Sequence, residues 1–149
     1  MKTKNSILGM AGLFIGALLL FSSCKKDDPI IVDKQTKITG TAKLQAGVSG
    51  NLGNAQVAIY MSTNDWDAYN PVAIGDVSGS GAKISFVFND VVPGNYYLDV
   101  WVDADNSGDW SAGDLVGWYG SGALSSPSLS PFMVAEGKTY NHTIACGVF

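Results

Sequence analysis

From Asp103 to Asp114 the chain reads Asp-Ala-Asp-Asn-Ser-Gly-Asp-Trp-Ser-Ala-Gly-Asp, a stretch rich in oxygen and free of basic residues. Taken as a twelve-residue calcium loop, it puts Asp103, Asp105 and Ser107 at positions 1, 3 and 5 and Gly108 at the sharp turn of position 6. Asp109 then offers its backbone carbonyl at position 7, Ser111 stands at position 9, where water often mediates, and Asp114 closes the loop at 12. Calcium is a hard ion that takes six to eight oxygens at about 2.3 to 2.6 Å, and alternate residues of a curled loop can converge on one such centre. Aspartate in place of glutamate at the closing position shortens the last arm, so the expected site is weak, in the range of roughly 10⁻⁴ to 10⁻³ M. Four crowded carboxylates without a lysine nearby in sequence favour a relieving cation. The competing reading is a long polar turn whose Asp, Asn and Ser side chains cap their own backbone.

Aromatic residues flank this stretch. Trp101, Trp118 and Tyr119 bracket it, and Trp66, Tyr69 and Tyr97 lie elsewhere on positions that are not all core-facing. Flat rings beside carboxylates suit a sugar-binding surface, because rings stack on apolar sugar faces while carboxylates accept hydroxyl bonds. The same rings could equally fill the core or cover its ends. Catalysis finds no constellation. His142 is the sole histidine, on a strand-like segment that suits a half-buried structural imidazole. Cys146 alternates with Ile144 as a small buried hydrophobe would, and the acids Asp65 and Asp67 sit in a polar stretch. Gly-x-Ser-x-Gly, His-Glu-x-x-His and Cys/His clusters are missing from the sequence, so a non-enzymatic protein is expected.

The elements that must position the loop read as strands. Apolar and polar residues alternate over Lys37 to Leu44, Gln56 to Met61, Lys83 to Phe88, Tyr96 to Val102 and Thr139 to Ala145, and less clearly over Val72 to Val77. The inward sets are Ile38, Gly40, Ala42 and Leu44; Val57, Ile59 and Met61; Ile84, Phe86 and Phe88; and Tyr96, Leu98, Val100 and Val102. Turn-rich stretches at 47–53, 78–81, 93–94 and 120–131 separate them, and no window carries a helical stripe. Short strands at regular spacing predict an all-β fold, an antiparallel two-sheet β-sandwich of about seven strands.

The segment Phe86-x-Phe88-x-x-Val91-Val92-Pro93-Gly94-x-Tyr96-x-Leu98-x-Val100 resembles the strand, Pro-Gly turn, strand signature of carboxypeptidase-regulatory-like domains. Gly40-Thr41-Ala42 and Val57-Ala58-Ile59-Tyr60 fall where that family places its first two strands, and the resemblance covers residues 37–145. It implies a transthyretin-like sandwich serving as an accessory, adhesive or carbohydrate-associated module. With a strand leading into it, the acidic stretch resembles the calcium loops of extracellular β-domains.

The N-terminal end supplies an address. Lys2 and Lys4 precede an uncharged apolar run from Ile7 to Phe21, which is too short for the roughly 20 residues of a spanning helix and ends in Ser22-Ser23-Cys24. This layout resembles the lipobox of bacterial lipoproteins, with Phe21 where leucine is usual. The resemblance implies a signal peptide over 1–23, lipid on Cys24, a charged tether over 24–35 like that of Bacteroidetes-type surface lipoproteins, and a folded domain over 36–149. Two or three acyl chains hold a membrane stably where one does not. The expected location is the cell envelope, lipid-anchored to the outer membrane, either displayed at its surface or facing the periplasm. If Cys24 carries lipid, Cys146 has no disulfide partner.

After such a cut about 125 residues remain, enough for one core. They hold no arginine and seven lysines against thirteen acids, and none of the lysines lies between Lys83 and Lys138. Phosphate binding draws on clustered Lys and Arg, so nucleic acid is excluded as an expected partner. A membrane, through the lipid, and a protein or glycan are the partners left.

Overall fold

The computed structural model describes residues 35–149; the expected signal peptide, Cys24 and all of the expected tether but Gln35 lie outside them. The fold is all-β. Among the described residues eleven strands and one short helix follow in the order β1 (Lys37–Leu44), β2 (Gln56–Tyr60), α1 (Thr63–Asp67), β3 (Ala73–Ile74), β4 (Asp76–Ser80) and β5 (Lys83–Phe88). Then come β6 (Gly94–Val102), β7 (Leu115–Trp118), β8 (Gly120–Ala123), β9 (Ser126–Leu129), β10 (Phe132–Val134) and β11 (Thr139–Val148). Among the described residues no helix is long and apolar enough to cross a membrane.

Hydrogen bonds join the strands in the order β3-β2-β6-β7-β11-β1-β5-β4, with β10 paired to β6 and β8-β9 forming a separate hairpin. β11 is the joint of this path. It runs parallel to β1 from Thr139↔Lys37 to Cys146↔Leu44, and its last residues, Gly147 and Val148, then pair with Val116 and Leu115 of β7.

One apolar core is shared by both arms of the path. Ile38 and Ala42 of β1, Ile84, Phe86 and Phe88 of β5, and Ile144 and Cys146 of β11 meet Val57, Ile59, Leu98 and Val100 from β2 and β6. Fully burying a side chain of this size contributes about 1.5–3 kcal/mol, which is why alternation decides the pairing. Gly40 is part of the fit, because a Cβ there would collide with the Phe86 ring and the His142 carbonyl oxygen. Tyr140 also packs against the core.

Several expectations needed correction. β2 ends at Tyr60, and Met61 is 59% exposed, because Ser62 caps α1 by accepting the Asp65 N–H at 3.1 Å. The single strand expected over Val72 to Val77 is two, broken at Gly75, where a Cβ would meet the Phe88 ring at 2.9 Å. Its pieces, β3 and β4, stand at opposite ends of the path. The stretch 120–131 holds the β8-β9 hairpin, and the strand count exceeds seven because short pieces such as β7 and β10 carry too few residues to show alternation.

Candidate metal centre

The acidic stretch is the connection of a β-hairpin. β6 pairs antiparallel with β7 up to Val102↔Leu115, so the flanking residues Asp103 and Asp114, first and last of the loop, are brought together by the sheet itself. Asp103, Asp105 and Asp114 can each present a carboxylate oxygen within 4.8 Å of the others. Positive φ at Asn106 (58°) and Gly108 (81°) turns the chain back between them, and only glycine takes such a conformation without steric cost.

The carboxylates organise the loop. Asp103 accepts the N–H groups of Ser107 at 3.0 Å and Gly108 at 2.9 Å. Asp105 accepts the Ser107 N–H at 3.0 Å and the Ser111 hydroxyl at 3.1 Å, and these bonds, Ser107 foremost, hold its carboxyl below the usual range. The Ser107 hydroxyl donates to the Asp109 carbonyl at 2.9 Å. Asp109 is exposed and its carboxylate is not one of the converging three; its backbone oxygen is engaged by the Ser107 hydroxyl.

Asp114 differs from the others. It is fully buried and accepts three N–H groups: Ala104 on Oδ1 at 2.8 Å, and Trp101 Nε1 and Ser111 on Oδ2 at 2.9 and 3.0 Å. A carboxylate oxygen has about two lone pairs. Oδ2 is therefore used up, and Oδ1 alone retains capacity, so Asp114 could hold an ion through one oxygen only. The remaining lone pairs of the three carboxylates could coordinate a cation, and their hard oxygens suit calcium or magnesium better than softer metals.

The outer face of β2, β6 and β7 carries a second packed cluster that the loop covers. Gln56↔Trp101, Ala58↔Asp99, Tyr60↔Tyr97 and Asp99↔Trp118 are directly opposed pairs on it. Trp110, at loop position 8, packs 5.3 Å from Trp66, 6.3 Å from Trp118 and 5.7 Å from Phe149, and its backbone N–H donates to the Tyr69 hydroxyl at 3.2 Å. Phe149 also donates its N–H to the Asp114 carbonyl and accepts that of Gly113, at 2.9 and 3.0 Å.

Within this cluster lies Asp99, which the sequence reading did not single out. It is 2% exposed and accepts from Trp66 Nε1 at 2.9 Å and the Tyr60 hydroxyl at 3.3 Å. Burial pushes its carboxyl up to about 7, against the two donors, which favour the charged form. Burial, and then the Asp99 charge, push the Tyr60 hydroxyl up as well. Strand alternation puts Asp99 on the face opposite Leu98 and Val100, but only the helix that roofs that face reveals that it is buried.

The proposed sugar platform is not assembled as expected. Trp101 packs on Tyr69 at 5.5 Å and lines a cleft beside the loop, whereas Trp118 and Tyr119 line a different cavity of about 670 Å³. Tyr119 packs against Phe132 and His142 at 5.5 and 4.7 Å, and Trp118 Nε1 is tied to the Ser121 carbonyl at 2.8 Å. His142 is half-buried between these rings, and burial lowers its pKa. Cys146 is fully buried, and burial pushes its thiol up to about 12, far from a reactive thiolate. No family model, no curated protein and no solved structure matches this chain.

Proposed function

We propose that this chain is a non-catalytic recognition or assembly module of the cell envelope whose Asp103–Asp114 loop binds calcium. The observation that carries the reading is the convergence of Asp103, Asp105 and Asp114 at the open end of the β6-β7 hairpin, with oxygens within 4.8 Å of one another. Asp103, Asp105 and one oxygen of Asp114 would hold the ion together with the Asp109 carbonyl, Ser107 and Ser111. Bound calcium would offset the mutual repulsion of the carboxylates and stiffen the loop that roofs the outer aromatic cluster. With a monodentate closing aspartate, the dissociation constant falls in the range of roughly 10⁻⁴ to 10⁻³ M, which suits a site outside the cytoplasm.

The address is part of the same reading. Ser22-Ser23-Cys24 after an apolar run supports lipid attachment at Cys24 and anchoring to the outer membrane, with the folded residues displayed at the surface. A transthyretin-like, two-layer arrangement is the fold reading that accompanies it, supported by the single core shared between the β1-β5 and β2-β6 arms. Calorimetric titration of calcium tests the ion, and heat that vanishes in Asp103→Asn/Asp105→Asn is the expected result. Labelled palmitate tests the anchor: incorporation should disappear in Cys24→Ser, and persistence there removes it.

A further inference from the structure

A cleft of about 570 Å³ opens beside the acidic loop, within the 300–1,000 Å³ typical of ligand sites. Its walls include Asn54, Gln56, Trp101, Asp103 and Asn106. The sheet builds it. Gln56 lies directly across from Trp101 in the β2-β6 pairing, Asn54 stands two residues before Gln56 and Asp103 two residues after Trp101. Asn54 and Gln56 are exposed, and Trp101 is partly buried.

The Trp101 ring is held rigidly for a surface aromatic. Its Nε1–H is fixed on Asp114 at 2.9 Å and its ring rests on Tyr69 at 5.5 Å, so little rotamer entropy remains to be lost on binding. Three side-chain amides offer donors and acceptors together, and Asp103 adds an acceptor. The described lining contains no lysine, so an anionic ligand would meet no counter-charge. A flat apolar ring edged by amides and a carboxylate matches one chemistry: a pyranose, apolar on one face and ringed by hydroxyls that both donate and accept.

We propose that this cleft binds a neutral saccharide, with Trp101 as the stacking platform and Asn54, Gln56 and Asp103 as hydroxyl partners. The inference rests on the calcium reading in one respect: an ion held by Asp103 and Asp114 would fix Asp103 in the lining and, through Asp114, the Trp101 ring, so saccharide binding should tighten with calcium. Trp118 and Tyr119 have no part in it.

The test uses the chain from residue 24 onward with Cys24→Ser. Neutral hexose and pentose oligosaccharides are arrayed beside oligogalacturonate as the charged control, and hits are titrated in calcium and in chelator. Terbium binding is measured on every variant. A neutral oligosaccharide should be retained. Asn54→Ala/Gln56→Ala should weaken it by about tenfold or more while terbium still binds, as loss of two hydrogen bonds near 1 kcal/mol each implies. Trp101→Ala should abolish it; Trp101→Phe, which keeps a ring and loses the Asp114 bond, should retain part. Gln45→Ala, on the rim of the other cavity, should leave it unchanged. Normal terbium binding with no neutral saccharide retained overturns the cleft proposal and leaves the calcium reading standing. Saccharide binding that is lost in Gln45→Ala and kept in Asn54→Ala/Gln56→Ala places the ligand elsewhere and also overturns it. Saccharide binding that depends on the amides without any terbium signal supports the cleft and removes the calcium reading.

Discussion

Trp101 donates its indole N–H to Asp114 across 2.9 Å, joining the end of β6 to the residue just before β7. The bond is one of three that the buried Asp114 carboxylate accepts, and it makes this aspartate a strut of the hairpin before it is a ligand of anything. Asp114→Ala should therefore destabilise the protein by about 2–4 kcal/mol in chelator, because three N–H groups lose their acceptor. Asp114→Asn should cost less, since the amide oxygen can still serve some of them. Urea unfolding with calcium removed measures both, and an Asp114→Ala midpoint equal to wild type would show that the loop does not depend on the strut.

Asp99 carries a pH dependence of opposite sign to that of an ion-paired carboxylate. Its carboxyl sits at about 7 folded, against an ordinary 3.8. Between these values the native state holds a proton that the unfolded chain has released, so stability falls as pH rises through the window and levels off above it. Melting temperature should drop by roughly 5 °C or more between about pH 4 and pH 8, and Asp99→Asn should flatten that slope. The lowered Asp105 carboxyl acts outside this window, losing its stabilisation only as pH falls below the ordinary range. A wild-type slope that survives in Asp99→Asn would assign the titration to another group.

Removing the indole donor should move the same group further. Trp66→Phe keeps a ring against Trp110 but takes away the 2.9 Å bond that favours the Asp99 anion. The carboxyl pKa, followed by carbon NMR, should rise above that of wild type; a fall would show that Trp66 acts mainly by excluding water.

The core makes a separate claim at Gly40. Alanine there would press on the Phe86 ring and on the His142 carbonyl, and the latter belongs to a strand pair that cannot yield without breaking β1-β11 register. Gly40→Ala should destabilise by about 1–3 kcal/mol, as overpacking does. Denaturant unfolding would show it as a lower midpoint at unchanged slope.

β1 and β5 were legible because they bury one face only. Ile38 to Leu44 and Ile84 to Phe88 alternate with polar residues, and β1 and β5 carry the bounds that alternation gives them. β2 was harder at its end, since Ala58 and Tyr60 are buried beneath the outer aromatic cluster as firmly as Val57 and Ile59. Its second buried face blurs the period, so alternation alone carries the inward set on to the exposed Met61. The loop was legible as a set of oxygens in register, because hairpin geometry needs only sequence-adjacent residues. What could not be read was the unequal state of those oxygens. Nothing local to Asp114 says that it is buried under a tryptophan thirteen residues back, and nothing local to Asp99 says that Trp66 and Tyr60 close over it. The closure over Asp99 depends on which face α1 covers, a choice made by long-range pairing.

Terbium luminescence tests the calcium loop most directly, because terbium takes calcium's oxygen ligands and Trp101 and Trp110 stand beside the site as sensitisers. Excitation of the indoles should give terbium emission that saturates, is displaced by calcium at high micromolar to millimolar concentration, on the order of the affinity expected for such loops, and disappears in Asp103→Asn/Asp105→Asn. Emission that is missing in the wild type, or that persists undiminished in the double variant, would contradict the calcium site and leave the loop as a polar turn.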